Sequence, residues 1–233
     1  SLDKRRNKIS PAGILLLGQT FTKSKKRSSV TVPALLEQVN FNPAEALVIN
    51  TGFSWVKRLD SASASRRSIE IAPTFRYAFG IQRFSPSVQF RYTFGKKYLS
   101  SLTLAGGRKV FQFNNGSPIG ERGNTLSCLL SEENRIKTYD ATFFRAAVRR
   151  GIGEGFNFSA SVQYQDRTPL DNISDYTWRD KADRTYTPNF PNEIIPVNIS
   201  HHQAVQFTVG IQWQAGTKYV ELPGRKINIG SKY

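Results

Sequence analysis

The chain carries two histidines and one cysteine, so its chemistry-bearing side chains are few. His201 and His202 are adjacent, and neighbours on a strand point to opposite faces, so they do not converge on one metal ion. The pair is expected to start a strand at a loop exit. Cys128 alone excludes an internal disulfide and a CxxC metal site, and a zinc site is not expected. An isolated cysteine of this kind is read as a small buried apolar residue. Nucleophilic catalysis by Ser or Cys needs a His base oriented by a third group, and neither a triad nor a GxSxG elbow is visible. Asp171, Asp175, Asp180 and Asp183, with Asn172, offer oxygens to a calcium ion. Their spacing does not match an EF-hand loop, and solvated loop charge is the expected reading. Gly151, Gly153 and Gly155 have GxGxG spacing but precede no helix, so they serve a turn rather than a phosphate cradle. No catalysis, no metal and no cofactor are expected.

Charge is the next signal. Lys and Arg number 33 against 17 Asp and Glu, a net charge of +16. That balance attracts anionic partners such as nucleic acid, lipid headgroups or acidic polysaccharide. The basic runs Lys4–Lys8 and Lys23–Arg27 lack an accompanying RNP-like or helix-turn-helix pattern. Basic loops at strand ends touching lipid phosphates, or solvated turns, fit them better than nucleic-acid binding. Arg76, Arg91 and Arg145 differ, because they stand mid-strand on polar faces. There they pair with Glu70 or other carboxylates, or bias an aqueous channel toward anions. Tyr176, Trp178, Tyr186 and Phe190 share a Pro-rich loop, read either as a recognition or gating loop or as a cap folded onto a barrel mouth.

The elements that position these residues are strands. Period-two alternation runs through Ile69–Phe79, Phe84–Phe94, Phe156–Gln165 and Val205–Gln214, and more weakly through Leu47–Lys57, Leu102–Phe113 and Asp140–Arg149. The opening stretch Ile14–Thr22 predicts a further strand. Several of these runs reach the roughly 9–11 residues of a membrane-spanning strand, against about 5–6 for strands of soluble proteins. Trp55, Tyr77, Tyr92, Tyr164 and Trp213 lie near strand ends, where interfacial aromatic girdles form; core packing of a sandwich is the alternative. Ala78–Arg83 and Gly151–Gly155 predict hairpins. A short helix capped by Asn124 is expected within 124–137, and Asp166–Ser200 is the longest irregular loop. No apolar run approaches a membrane helix. The expected architecture is all-β: residues 1–233 form part of a single antiparallel, up-and-down transmembrane β-barrel, an incomplete one. Because the chain begins at Ser1 and has no Met, an internal fragment of a longer protein is expected.

Three stretches carry a resemblance: Asp166-Arg-Thr-Pro-Leu-Asp-Asn172, Tyr186-Thr-Pro-Asn-Phe-Pro191, and Lys218 through Tyr233. They resemble large Bacteroidota outer-membrane proteins of unassigned function that carry an N-terminal carboxypeptidase-regulatory-like sandwich before a barrel, a layout similar to TonB-dependent receptors. The resemblance implies that the sandwich and the rest of the barrel lie outside these residues, and it supplies no reaction and no site residues.

Two functional classes remain. The first is an outer-membrane barrel segment in transport or envelope assembly, with membrane lipid, lipopolysaccharide and other envelope proteins as partners and no nucleic acid. The second is a soluble β-rich module that recognises anionic polysaccharide or nucleic acid through its basic surface.

Overall fold

The alternating runs become long antiparallel strands. The computed structural model describes residues 2–60, 67–95, 98–114, 116–152, 155–180, 183–191, 200–222 and 225–231. Its main body is an eleven-stranded sheet that does not close. The long strands are β6 (Ser68–Ala78), β7 (Arg83–Phe94), β8 (Ser100–Gln112), β9 (Thr138–Gly151), β10 (Phe156–Pro169) and β11 (His202–Trp213), each antiparallel to the next in chain order. The fold is all-β and up-and-down, an incomplete barrel. Two shorter hairpins complete the sheet beside β6. One joins β1 (Gln19–Lys23) to β2 (Ser28–Val32), and the other joins β3 (Val39–Asn42) to β4 (Ala46–Gly52). Strand β5 (Ser54–Arg58) links β2 to β6, and β12 (Thr217–Leu222) pairs with β13 (Arg225–Ser231) in a separate ribbon. No helix among the described residues is long and apolar enough to cross a membrane.

Register sorts the sheet into two chemically opposite faces. Trp55, Ile71, Phe90, Leu104, Ala146, Val162 and Phe207 stand side by side across seven strands. The next row, Ile69, Tyr92, Leu102, Val148, Ala160 and Val209, lies on the same face. The row between them has the other orientation: Val56, Glu70, Arg91, Thr103, Ala147, Ser161 and Thr208.

Leu47–Lys57, expected as one strand, is β4 and β5 in a single register on β6: Gly52 faces Thr74 and Trp55 faces Ile71. The ladder breaks at Phe53, whose N–H donates to Pro73 O at 3.3 Å; Pro73 has no N–H to return. Gly52 permits this approach, since a Cβ there would lie 2.5 Å from Pro73 O.

Three expectations need correction. Ile14–Thr22 is not a strand throughout. A basic first helix, α1 (Leu2–Arg6), is followed by α2 (Pro11–Leu16), and β1 starts only at Gln19. Ser10 accepts a bond from Gly13 N at 3.1 Å and Pro11 opens the first turn, a strong helix start, while Gly18 at φ +74° ends it. The expected helix within 124–137 is α3 (Glu121–Ser131), which begins earlier with Gly120 as its N-cap. Asn124 is buried inside that helix, so it is not the cap. The irregular loop starts after Pro169 rather than at Asp166, and its residues 181, 182 and 192–199 lie outside the described residues.

Glycine positions give a pair of predictions of opposite sign. Gly107 has φ +129°, and a Cβ there would sit 2.7 Å from Ser87 Cα. Gly107→Ala is expected to cost about 1–3 kcal/mol, read as a lower urea midpoint. Gly123 lies in α3, and a methyl added there would meet nothing within 4 Å, so Gly123→Ala is expected to stabilise by up to about 1 kcal/mol, read as a higher urea midpoint. Equal shifts would contradict the backbone assignment.

Candidate functional site

The polar face is lined with small hydroxyl and amide side chains, which leave room for concavities. One, of about 600 Å³, is lined by Arg91, Arg145, Arg149, Thr103, Ser159 and Ser161 among others. A second, of about 560 Å³, has Arg6, Arg27, Arg58, Thr20, Thr22 and Ser29 in its wall. Both lie toward the end of the sheet where β5, β7 and β9 finish and β6, β8 and β10 begin, the turn end.

The candidate channel charges divide by position. Arg91 lies 3.4 Å from Glu70, whose other oxygen accepts from Ser54 Oγ at 2.9 Å. Arg145 has no carboxylate partner among the described residues. Arg76 lies at the opposite end and is buried. Its Nε and Nη2 reach the two oxygens of Glu45 at 3.0 and 2.6 Å, and its Nη1 reaches Glu121 at 3.2 Å. Its charge is therefore neutralised within the chain, by carboxylates other than Glu70.

That opposite end is the cap end, where β3 and β4, α3 and the 170–191 segment fold together. Phe41, Cys128, Leu129 and Tyr186 form its apolar core. The Tyr186 hydroxyl donates to Cys128 O at 2.8 Å, and Trp178 N donates to Leu129 O at 2.9 Å. Asn124 Oδ1 accepts from the backbone of Arg135 and Ile136, fastening the helix to the segment after it. Asn189 clamps the loop to the sheet, accepting from Thr138 N at 3.0 Å and donating to Leu170 O at 2.7 Å. Asp140, buried on β9, accepts from Arg83 on β7 at 3.0 Å and Arg108 on β8 at 2.7 Å. It ties these two strands together beyond the point where their pairing stops, at Ser87 and Gly107.

The loop aromatics take different parts. Tyr186 is a core residue of the cap and Phe190 is half-buried, whereas Tyr176 and Trp178 are exposed. Tyr176 still meets Phe41 edge-on at 5.9 Å. The strand-end aromatics form two bands on the apolar face. Tyr92 stacks with Phe94, and Trp213 with Phe156, toward the turn end. Tyr77 meets Phe79, and Tyr164 stands beside Phe144 and Val205, toward the cap end. Trp55 pairs with Ile71 between them.

Residues 12–233 match a family model described as "Family of unknown function (DUF5686) C-terminal domain". The chain belongs to that family. No curated protein and no solved structure matches it. In this DUF5686 C-terminal domain, Asp166–Asn172 and Tyr186–Pro191 supply the cap's fastenings: buried Leu170, Asn172 donating to Thr187 O at 2.9 Å, Tyr186 and Asn189. Sequence reasoning did not single out Arg149, although it follows Arg145 by four positions on the same strand face. Glu45, Glu121 and Asp140 carried no local signal, since their partners are distant in sequence.

For chemistry, the described residues contain no group of three or more His, Cys, Asp or Glu able to hold a metal. His201 Nε2 lies 2.7 Å from Asp166, while His202 Nδ1 turns to Ser200 O. Cys128 is buried, and burial pushes its thiol up to about 12. The neutral thiol therefore dominates at pH 8, and the reactive thiolate is scarce. Maleimide is expected to leave Cys128 unlabelled in the folded protein and to label it fully in urea. Arg76→Gln removes the partner of fully buried Glu45, a change expected to cost about 3–5 kcal/mol, and it should expose Cys128 to labelling at lower urea. Rapid native labelling of the unaltered protein would contradict the cap as described.

Proposed function

We propose that this domain is a wall segment of an outer-membrane β-barrel, with its apolar face against lipid and its polar face toward an aqueous interior. The observation that carries the reading is an apolar face that no other described part of the chain covers. Val205, Phe207, Val209, Ile211 and Trp213 follow one another on β11, with Phe207 77% and Ile211 73% exposed. A soluble sandwich would press these side chains against a second sheet. At roughly 3.3 Å per residue the stretch Val205–Trp213 measures about 26 Å along the strand, enough for a tilted membrane strand. The two aromatic bands fit the two interfaces.

By the rule that longer connections face outward and short turns face the periplasm, the cap end is extracellular. The wall, the polar interior and the cap suit transport or envelope assembly, with lipid, lipopolysaccharide and other envelope proteins as partners. The domain performs no reaction of its own on this reading.

Substitution on adjacent positions separates lipid from water. Val209→Arg places a cation on the apolar face and is expected to destabilise the membrane-inserted protein by about 2–4 kcal/mol, read as loss of the heat-modifiable gel band at lower denaturant. Thr208→Arg, on the polar face, is expected to change it little. If both variants behave alike and the full-length protein fractionates as a soluble periplasmic monomer, the alternative wins: a soluble module that binds anionic polymers.

A further inference from the structure

We propose that the polar face at the turn end is a binding site for a water-soluble solute bearing oxyanion groups, phosphate or carboxylate, held by arginine forks. The inference rests on the barrel reading for its enclosed interior and goes beyond it in naming a ligand chemistry. Three observations converge on it.

The first is the cation type. Among the described residues, the cations in the walls of the two concavities are Arg91, Arg145 and Arg149 in one and Arg6, Arg27 and Arg58 in the other. Guanidinium is planar and presents paired donors that match the two oxygens of a carboxylate or phosphate, whereas an ammonium is a point charge.

The second is the shortage of acids. Among the described residues no carboxylate lines the first concavity, and the one in the second, Asp60, is paired with Arg67. Arg91 is shared with Glu70, but Arg145 and Arg149 have no carboxylate partner among the described residues. Elsewhere the chain neutralises its enclosed arginines: Arg76 has two glutamates, and Arg83 and Arg108 share Asp140.

The third is room with hydrogen-bond donors. Arg145 is flanked across the sheet by Ala105 and Gln163, and Arg149 by Ser101 and Ser159. These neighbours are too short to cover the guanidiniums, and their hydroxyls and amide are the neutral donors that complete an oxyanion's shell. The two arginines stand four residues apart on one strand face, roughly 13 Å, a span that suits a solute with more than one anionic group.

The test uses the full-length protein in detergent, titrated calorimetrically with inorganic tripolyphosphate and separately with citrate. The expected result is saturable binding of at least one probe that weakens steeply with salt. R145Q/R149Q is expected to lose tenfold or more in affinity, R145K/R149K to lose part of it, and R122Q/R184Q on the cap to stay within twofold. The stronger probe identifies the oxyanion. No binding of either probe, or equal affinities across these variants, overturns the proposal. Heat-modifiable migration of the same samples is read in parallel. A shifting band with unaltered binding in R145Q/R149Q sinks the site and leaves the barrel standing, whereas an absent shift in the parent sinks the barrel reading. If R145Q/R149Q fails to fold, the lysine pair decides, with unchanged affinity counting against the forks.

Discussion

The structure is governed by a broad sheet face of aliphatic and aromatic side chains that no other described part of the chain covers. Each such side chain left in water forgoes about 1.5–3 kcal/mol relative to full burial. Phe75, Phe84, Val88, Leu104, Phe144, Val205, Phe207, Val209 and Ile211 all stand in this exposed set. Weighted by the exposure that remains, these nine positions forgo on the order of 10 kcal/mol, comparable with the typical net stability of a folded domain of about 5–15 kcal/mol. On the barrel reading, that surface calls for an apolar cover. A hydrocarbon phase meets that need without requiring a shaped partner, and it leaves the Ser, Thr, Asn, Gln and Arg of the opposite face to water.

The cap end obeys a different rule. Its core is protein packed on protein, and its buried arginine is paired with carboxylates rather than solvated. Glu45 is fully buried, and it is held by the fork of Arg76; Asp140 joins two arginines across strands that have parted. Removing one member of such a set leaves a buried charge, so these contacts fix a single arrangement of the cap against the sheet. The turn end has the reverse character, with arginines facing small neighbours and few acids. Among the described residues, one end is thus internally neutralised and the other is basic and open.

Much of this was legible in the residues. Period two located every long strand to within a few positions, because a half-buried strand must alternate, and the hairpins at 79–82 and 152–155 followed from their turn residues. Positions whose meaning depends on remote partners were not legible. Arg76 and Arg145 look alike as mid-strand cations on polar faces, yet one is buried against Glu45 and Glu121 and the other lines a concavity. Asn124 has the residue type of an N-cap, but Asn134, Arg135 and Ile136 draw its side chain into the cap interior. Ile14–Thr22 contains enough aliphatic residues for a strand, and the Ser10-Pro11 start outweighs them locally. The division of β4 from β5 comes from Pro73 on another strand, which no window around Phe53 reveals.

The central claim is that the two faces of this sheet meet different solvents. It is tested most directly by spin labels placed singly at positions 205 to 213 of the full-length protein, with Cys128 replaced by Ala, in reconstituted membranes. Collision with lipid-soluble oxygen should peak at 205, 207, 209, 211 and 213. Collision with a water-soluble nickel chelate should peak at the positions between. High nickel accessibility at both sets, or no period-two pattern, would contradict the account.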